Sequence, residues 1–176
     1  VVILSRCTSC GLKRFMLPSG GLPGMRTRGS LTPVSLRRLL RAMRKRGERG
    51  LVVVPTGTDP VWEANVIQWS SWPRGEALDW LFFLFSLEER LDALDVLREA
   101  RGRLKVGGML FVMTTNSSSW LMKLMGITGQ PYEPTRQRVL FNRRTLRVAL
   151  ERAGYPVVRV AWKPLRTYCV GIAHPA

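Results

Sequence analysis

The feature that most constrains this chain is the run from Leu78 to Leu87, LDWLFFLFSL, apolar almost throughout and followed at once by charged, helix-forming sequence. A strand that is apolar at consecutive positions needs cover on both faces, the condition of a central strand in a parallel sheet. The strand is expected over Trp80 to Phe85. From Glu88 the pattern turns helical, with Leu91, Leu94, Leu97 and Leu104 on one side. Glu88, Glu89, Asp92 and Asp95 lead this helix while Arg98, Arg101, Arg103 and Lys105 trail, an order that complements the helix macrodipole. Gly107-Gly108 is the expected stop, and Met109 to Thr114 returns as a second buried strand. Asp79 interrupts the apolar run, which is far shorter than the roughly 20 residues of a membrane span, so none is expected.

The alternation extends in both directions. Thr32-Pro33, followed by Leu36, Leu39, Leu40 and Met43 and then Gly47, predicts a helix whose other face is Arg37, Arg38, Arg41, Arg44 and Lys45. Leu51 to Val54 reads as a strand ended by Pro55, and Val66 to Trp69 as a weaker one. Beyond Thr114 the pattern gives a short helix from about Ser117 to Met125, a loop to Pro134, and a helix opened by Asn142 and closed by Gly154. Val157 to Trp162 and Thr167 to Ile172 are the last strands. Only Lys163 to Arg166 lie between them, too few residues for a parallel crossover, so an antiparallel hairpin is expected. The whole predicts an α/β fold with a mostly parallel, Rossmann-like sheet and a C-terminal antiparallel hairpin. At 176 residues one core suffices, which divides the chain into a basic arm over 1–30 and an α/β domain over 31–176.

Charge is unevenly placed. The net charge is +16, and residues 1–50 hold 12 Lys/Arg against one acid while residues 51–130 hold 7 against 9. Such asymmetry fits a surface for nucleic acid, bound weakly and salt-sensitively, or for an anionic membrane, or else an Arg-rich composition with an acidic partner. Three cysteines do not build a disulfide framework, and no secretory signal is visible, so a cytoplasmic location is expected. A start at Val1 fits an alternative start codon or a fragment.

Between Leu78 and Tyr155 several motifs follow one another: Leu78-Asp79-Trp80, Ser86-Leu87-Glu88-Glu89, Leu97-Arg98-Glu99-Ala100-Arg101, and Leu104-Lys105-Val106-Gly107-Gly108. Thr115-Asn116, Phe141 with Thr145-Leu146, and Leu150-Glu151-Arg152-Ala153-Gly154-Tyr155 come next. In kind and order these resemble the post-cofactor half of class I S-adenosylmethionine-dependent methyltransferases. The resemblance implies S-adenosylmethionine as cofactor, with Phe85 and Ser86 in the cofactor-side turn after the central strand. It implies Asn116, Arg136 and Gln137 on the acceptor side. Phe85 and Glu89 stand where many relatives have histidines, Val106 replaces the usual proline, and Gln137 stands where relatives often have histidine.

The front half departs further, and the sheet is expected to be shortened there. The family's Gly-rich turn after the first strand has its best match in Leu17 to Gly24, with Gly20 and Gly24, where a flexible loop is the alternative. Thr56-Gly57-Thr58-Asp59-Pro60 resembles the turn after the family's second strand, whose carboxylate accepts hydrogen bonds from the ribose. A plain turn fits Gly57 and Asp59 equally well. Cys7 and Cys10 resemble one knuckle of a zinc ribbon, but a structural site takes four ligands, so no bound metal is expected. The implied function is methyl transfer to a small-molecule or glycan-linked acceptor. The alternative is a catalytically inactive module of the same fold that binds nucleic acid or a protein partner through its Arg-rich surface.

Overall fold

A computed structural model of the chain describes residues 3–6, 13–16, 47–55, 66–68, 77–120, 137–162 and 168–175. In chain order the strands are β1 (Ile3–Arg6), β2 (Lys13–Met16), β3 (Gly50–Val54), β4 (Val66–Gln68), β5 (Leu78–Leu84), β6 (Leu104–Thr115), β7 (Val139–Leu140), β8 (Val157–Trp162) and β9 (Tyr168–His174). The helices are α1 (Ala93–Arg103) and α2 (Arg143–Arg152), and Leu87–Glu89 forms a single 3-10 turn. Six strands make one sheet in the order β4-β3-β5-β6-β9-β8. The first four run parallel, β9 is antiparallel to β6, and β8 is antiparallel to β9.

The apolar run of β5 is central, and from Trp80 to Leu84 every residue is buried. One face of the sheet, with Val53, Leu81, Phe83, Leu110 and Val112, packs against Val96, Leu97 and Ala100 of α1 and Leu146 and Leu150 of α2. The other face carries Val52, Val54, Trp80, Phe82, Leu84, Phe111 and Met113. Two glycines permit close approaches. A Cβ at Gly50 would overlap the Trp80 indole, and one at Gly171 would stand 3.0 Å from Leu150 Cδ1, where α2 lies on β9.

Local signals account for α2. Asn142 accepts from the Thr145 amide while the Thr145 hydroxyl accepts from the Asn142 amide, a reciprocal capping box. Gly154, at φ 91°, ends the helix in the left-handed region. The α1 region differs from expectation. Glu88 and Glu89 belong to the 3-10 turn, Leu91 precedes α1 and is 48% exposed, and Leu104 already belongs to β6. Residues six apart on a helix point about 120° apart, so Leu91 and Leu97 cannot share a face. The buried stripe is instead Ala93, Val96, Leu97 and Ala100.

Gly107-Gly108 does not stop the helix. It lies within β6, where Leu104 pairs with Leu78 and Met109 with Trp80, so the intervening residues bulge out of register with Gly107 at φ 78°. The arm also brings an unexpected element. β1 and β2 pair antiparallel, and β2 pairs with β7 through Lys13↔Leu140 and Arg14↔Val139, forming a second, three-stranded sheet. The helix expected after Pro33 lies outside the described residues. Of the helix expected from Ser117, only Trp120 is described as helical.

Candidate functional site

The strand order locates a crevice. After β3 the chain forms β4 on one side of it, then returns to form β5 on the other. The direction of winding therefore reverses between β3 and β5, and in open α/β sheets ligands bind outside the carboxyl ends of the strands at such a point. The chain there comprises Val54-Pro55, the turn Phe85 to Glu89, Thr114 to Ser119 at and after the end of β6, and Gln137 before β7. Among the described residues Ser86, Glu88, Thr114, Thr115, Asn116, Ser119, Gln137 and Thr145 are the buried polar side chains. All but the capping residue Thr145 belong to this edge.

The turn after β5 is held from both sides. Phe85 has φ 50°, a left-handed conformation that costs a non-glycine residue about 1–3 kcal/mol and persists only where surrounding bonds impose it. Its amide donates to the Met113 carbonyl at 2.8 Å, and the Ser86 hydroxyl donates to the Val53 carbonyl at 2.9 Å. Both expected cofactor-side residues, Phe85 and Ser86, therefore stand between the ends of β3 and β6. Phe85 is half-buried and Ser86 buried.

Glu88, one turn further on, is fully buried. Its Oε1 accepts from the Thr115 amide at 2.8 Å and the Thr115 hydroxyl at 2.9 Å. Burial pushes its carboxyl pKa above the ordinary 4.5, against the lowering effect of the Thr115 bonds. Gln137 Nε2 donates to Thr115 Oγ1 at 2.9 Å, and the Arg138 amide donates to the Glu88 carbonyl at 2.7 Å. Asn116 caps the loop after β6, its Oδ1 accepting from the Ser118 amide at 3.2 Å and its carbonyl from the Ser119 amide at 3.1 Å. Glu88 Oε2, Thr114 Oγ1 and Asn116 Nδ2 are buried without a hydrogen-bond partner among the described residues. Trp120 follows, 64% exposed.

The edge therefore gathers Phe85, Ser86, Asn116 and Gln137 of the residues expected at the site. Arg136, Gly57, Asp59, Gly20, Gly24, Cys7 and Cys10 lie outside the described residues. Two placements nevertheless differ from expectation. The strand before Gly20 and Gly24 is β2, which belongs to the three-stranded sheet, so that loop does not leave a strand of the parallel sheet. The strand before Gly57 and Asp59 is β3, which lies directly beside β5 with no further strand between them. Gly57 and Asp59 thus follow the inner strand at the crevice. Nothing in the local pattern carries that information, because adjacency in a sheet is a long-range property.

Two participants were missed. Glu88 passes in sequence for a leading acid of a surface helix, and Thr115 for the residue after a strand, whereas it is the last residue of β6. Their one signal is position, since Thr115 ends one buried strand and Glu88 lies in the turn after another, both at the carboxyl edge. His174 is far from this edge, at the amino end of β6, with Nδ1 3.1 Å from the Gly108 carbonyl oxygen. No cluster of three metal-ligating side chains occurs among the described residues. No helix among them is long and apolar enough to cross a membrane.

The mixed sheet with a parallel core, its reversal point and its polar carboxyl edge define the fold of class I S-adenosylmethionine-dependent methyltransferases. Solved structures of such enzymes match most of the chain. The CcbJ methyltransferase from Streptomyces caelestis superposes with a TM-score of 0.57 at 13% identity, over 86% of this chain and 100% of that one. A methyltransferase from Thermotoga maritima, described as a possible histamine N-methyltransferase, gives 0.54 at 15% identity over 73% and 83%. Human N-acetylserotonin methyltransferase in complex with S-adenosylmethionine gives 0.52 at 12%, over 78% of this chain but only 44% of its own. No family model and no curated protein matches the chain.

Proposed function

We propose that the chain binds S-adenosylmethionine at the carboxyl edge of β3 and β5 and directs its methyl group to a small-molecule or glycan-linked acceptor. The observation that carries this is the gathering of buried polar side chains, several with unpartnered atoms, at the one edge where the winding of the sheet reverses. A half-buried aromatic ring at Phe85 and polar atoms behind it fit a nucleoside ligand, which brings both a flat apolar base and hydrogen-bonding hydroxyls.

The division of labour follows the edge. Phe85 and Ser86 take the cofactor side, Gly57 allows close approach of the backbone, and Asp59 accepts from the ribose hydroxyls. Asn116, Arg136 and Gln137 take the acceptor side. The bound cofactor supplies a methyl group already activated by its sulfonium. What the protein must do is hold the acceptor atom in line with it and exclude water, which needs few acid–base side chains.

Calorimetric titration with S-adenosylmethionine tests this. The parent should bind, and Asp59→Ala should bind about ten-fold to a hundred-fold more weakly, the loss of one charge-assisted interaction. Asp79→Ala is the control, because Asp79 lies at the opposite end of β5. Unchanged affinity in a folded Asp59 variant would remove the ribose role. No binding by the parent would favour the second proposal, an inactive module that holds an anionic partner. That reading is supported by the exposed Arg138, Arg143, Arg144, Arg147, Arg152 and Arg159. Retention on nucleic acid that vanishes near physiological salt would match it.

A further inference from the structure

We infer that Glu88 is a positioning residue that couples the acceptor side of the crevice to its cofactor side; the assignment of those sides rests on the methyltransferase proposal above. The turn carrying Glu88 is tied at four places to three parts of the chain, two of them on β6. Ser86 ties it to β3, Phe85 ties it to β6 through the Met113 carbonyl, Oε1 ties it to Thr115, and the Glu88 carbonyl ties it to Arg138. The first two bonds belong to the cofactor side. The last two reach the end of β6, where the loop toward β7 begins, and the segment entering β7.

The side-chain relay has a fixed direction. A threonine hydroxyl has one hydrogen, and Thr115 gives it to Glu88 Oε1. Its oxygen can then only accept from Gln137, which orients the Gln137 amide with Nε2 toward Thr115 and leaves Oε1 on the other side. Removing the carboxylate frees the Thr115 hydrogen. The Thr115 oxygen is then no longer held as the acceptor for Gln137. Glu88 thus fixes the donor–acceptor order of the bond between Gln137 and Thr115 on the acceptor side, although it is itself fully buried.

A carboxylate is a costly way to build this relay. Oε1 takes both Thr115 bonds, while Oε2 is buried without a partner among the described residues. Glutamine at 88 would present the same Oε1 acceptor without the charge. Glu88→Gln is therefore the conservative variant that should rescue what Glu88→Ala loses.

The test uses the full chain, amide hydrogen exchange, and S-adenosylhomocysteine as the binding probe. In Glu88→Ala, exchange at Thr115 and Arg138 should rise about ten-fold or more while Leu81–Phe83 and Leu110–Val112 stay protected. Affinity for S-adenosylhomocysteine should fall about five-fold, and adding Gln137→Leu should cost nothing further, since coupled residues are non-additive. Glu88→Gln should stay within about two-fold of the parent in both measurements. Damage by Glu88→Gln equal to that of Glu88→Ala, or additive losses in the double variant, would overturn the inference. Should Glu88→Ala fail to fold, Thr115→Val decides, because it removes the relay hydroxyl but keeps the backbone bond. Faster exchange at Arg138 supports the coupling, and unchanged exchange overturns it. A parent that does not bind the probe refutes the methyltransferase proposal, while the exchange measurements still decide whether Glu88 couples the two segments.

Discussion

An acid lies toward each end of β5, Asp79 within the strand and Glu88 in the turn beyond it, and the two live in opposite surroundings. Asp79, at the amino end, keeps a side chain 30% exposed and is met by donors on both oxygens, Lys105 Nζ and the Arg49 amide, each at 2.8 Å. The Lys105 hydrogen bond first, then the Arg49 amide, lowers its pKa from the ordinary 3.8. Glu88, beyond the carboxyl end, is fully buried, faces only neutral donors, and has its pKa raised by desolvation. The amino edge is arranged as a stable closure of charge. The carboxyl edge holds polar groups out of water at a cost in stability, which is the general condition of a binding edge.

The largest effect should come from packing at the amino edge. Gly50→Ala forces a methyl group into the Trp80 indole and should cost about 3 kcal/mol, near the upper end for overpacking, as read from urea unfolding. A loss under half that size would mean that β3 shifts easily against β5, and with it the crevice.

Next comes the contrast between the two acids themselves. Glu88→Ala strands the Thr115 amide and hydroxyl and should cost about 2 kcal/mol, the penalty for buried unsatisfied groups. Asp79→Ala breaks a partly exposed pair and should cost under about 1 kcal/mol, less in high salt. Equal losses, measured by the same unfolding curves, would dissolve the distinction between the edges.

The smallest effects are the most diagnostic, because they have opposite dependence on pH. A raised folded pKa means that Glu88 contributes stability in its protonated form, present below pH 4.5 and lost as pH rises through the folded value. Melting temperatures of Glu88→Gln should therefore gain on the parent as pH rises from 4.5 to neutrality. A lowered folded pKa means that Asp79 contributes stability present above pH 3.8 and lost as pH falls through the folded value. Asp79→Asn should accordingly lag the parent at neutral pH and match it in strong acid. A flat difference for Glu88→Gln would mean that its carboxyl titrates alike in folded and unfolded chains.

Strong local patterns survived into the structure. The apolar run became β5, Met109 to Thr114 lies within β6, and Asn142 and Gly154 bracket α2 as their capping chemistry requires. The hairpin of β8 and β9 followed from a connection too short for a crossover. Weak or competing patterns did not survive. Three leucines spaced by three implied a helical face that a 3.6-residue period does not support, and two glycines that looked like a helix stop make a bulge inside β6. Of the residues at the carboxyl edge, Phe85, Ser86, Asn116 and Gln137 were singled out by motif resemblance. The burial of Glu88 and its bond to Thr115 were not, since they depend on residues 27 apart in sequence meeting across a strand end.

What the sequence determined alone is therefore local: where strands and helices form, where α2 begins and ends, and that the sheet must be layered on both faces. These follow from hydrophobic period, capping and chain length, all of which act within a few residues. The tertiary structure alone decided that β3 lies directly against β5, that β2 joins β7, and that the acid on the central strand is solvated and paired while the acid in the turn after it is dry. Those outcomes depend on which distant segments meet and which groups lose water when they do. Burial and ionisation are set by that assembled surface, and no window of sequence contains it.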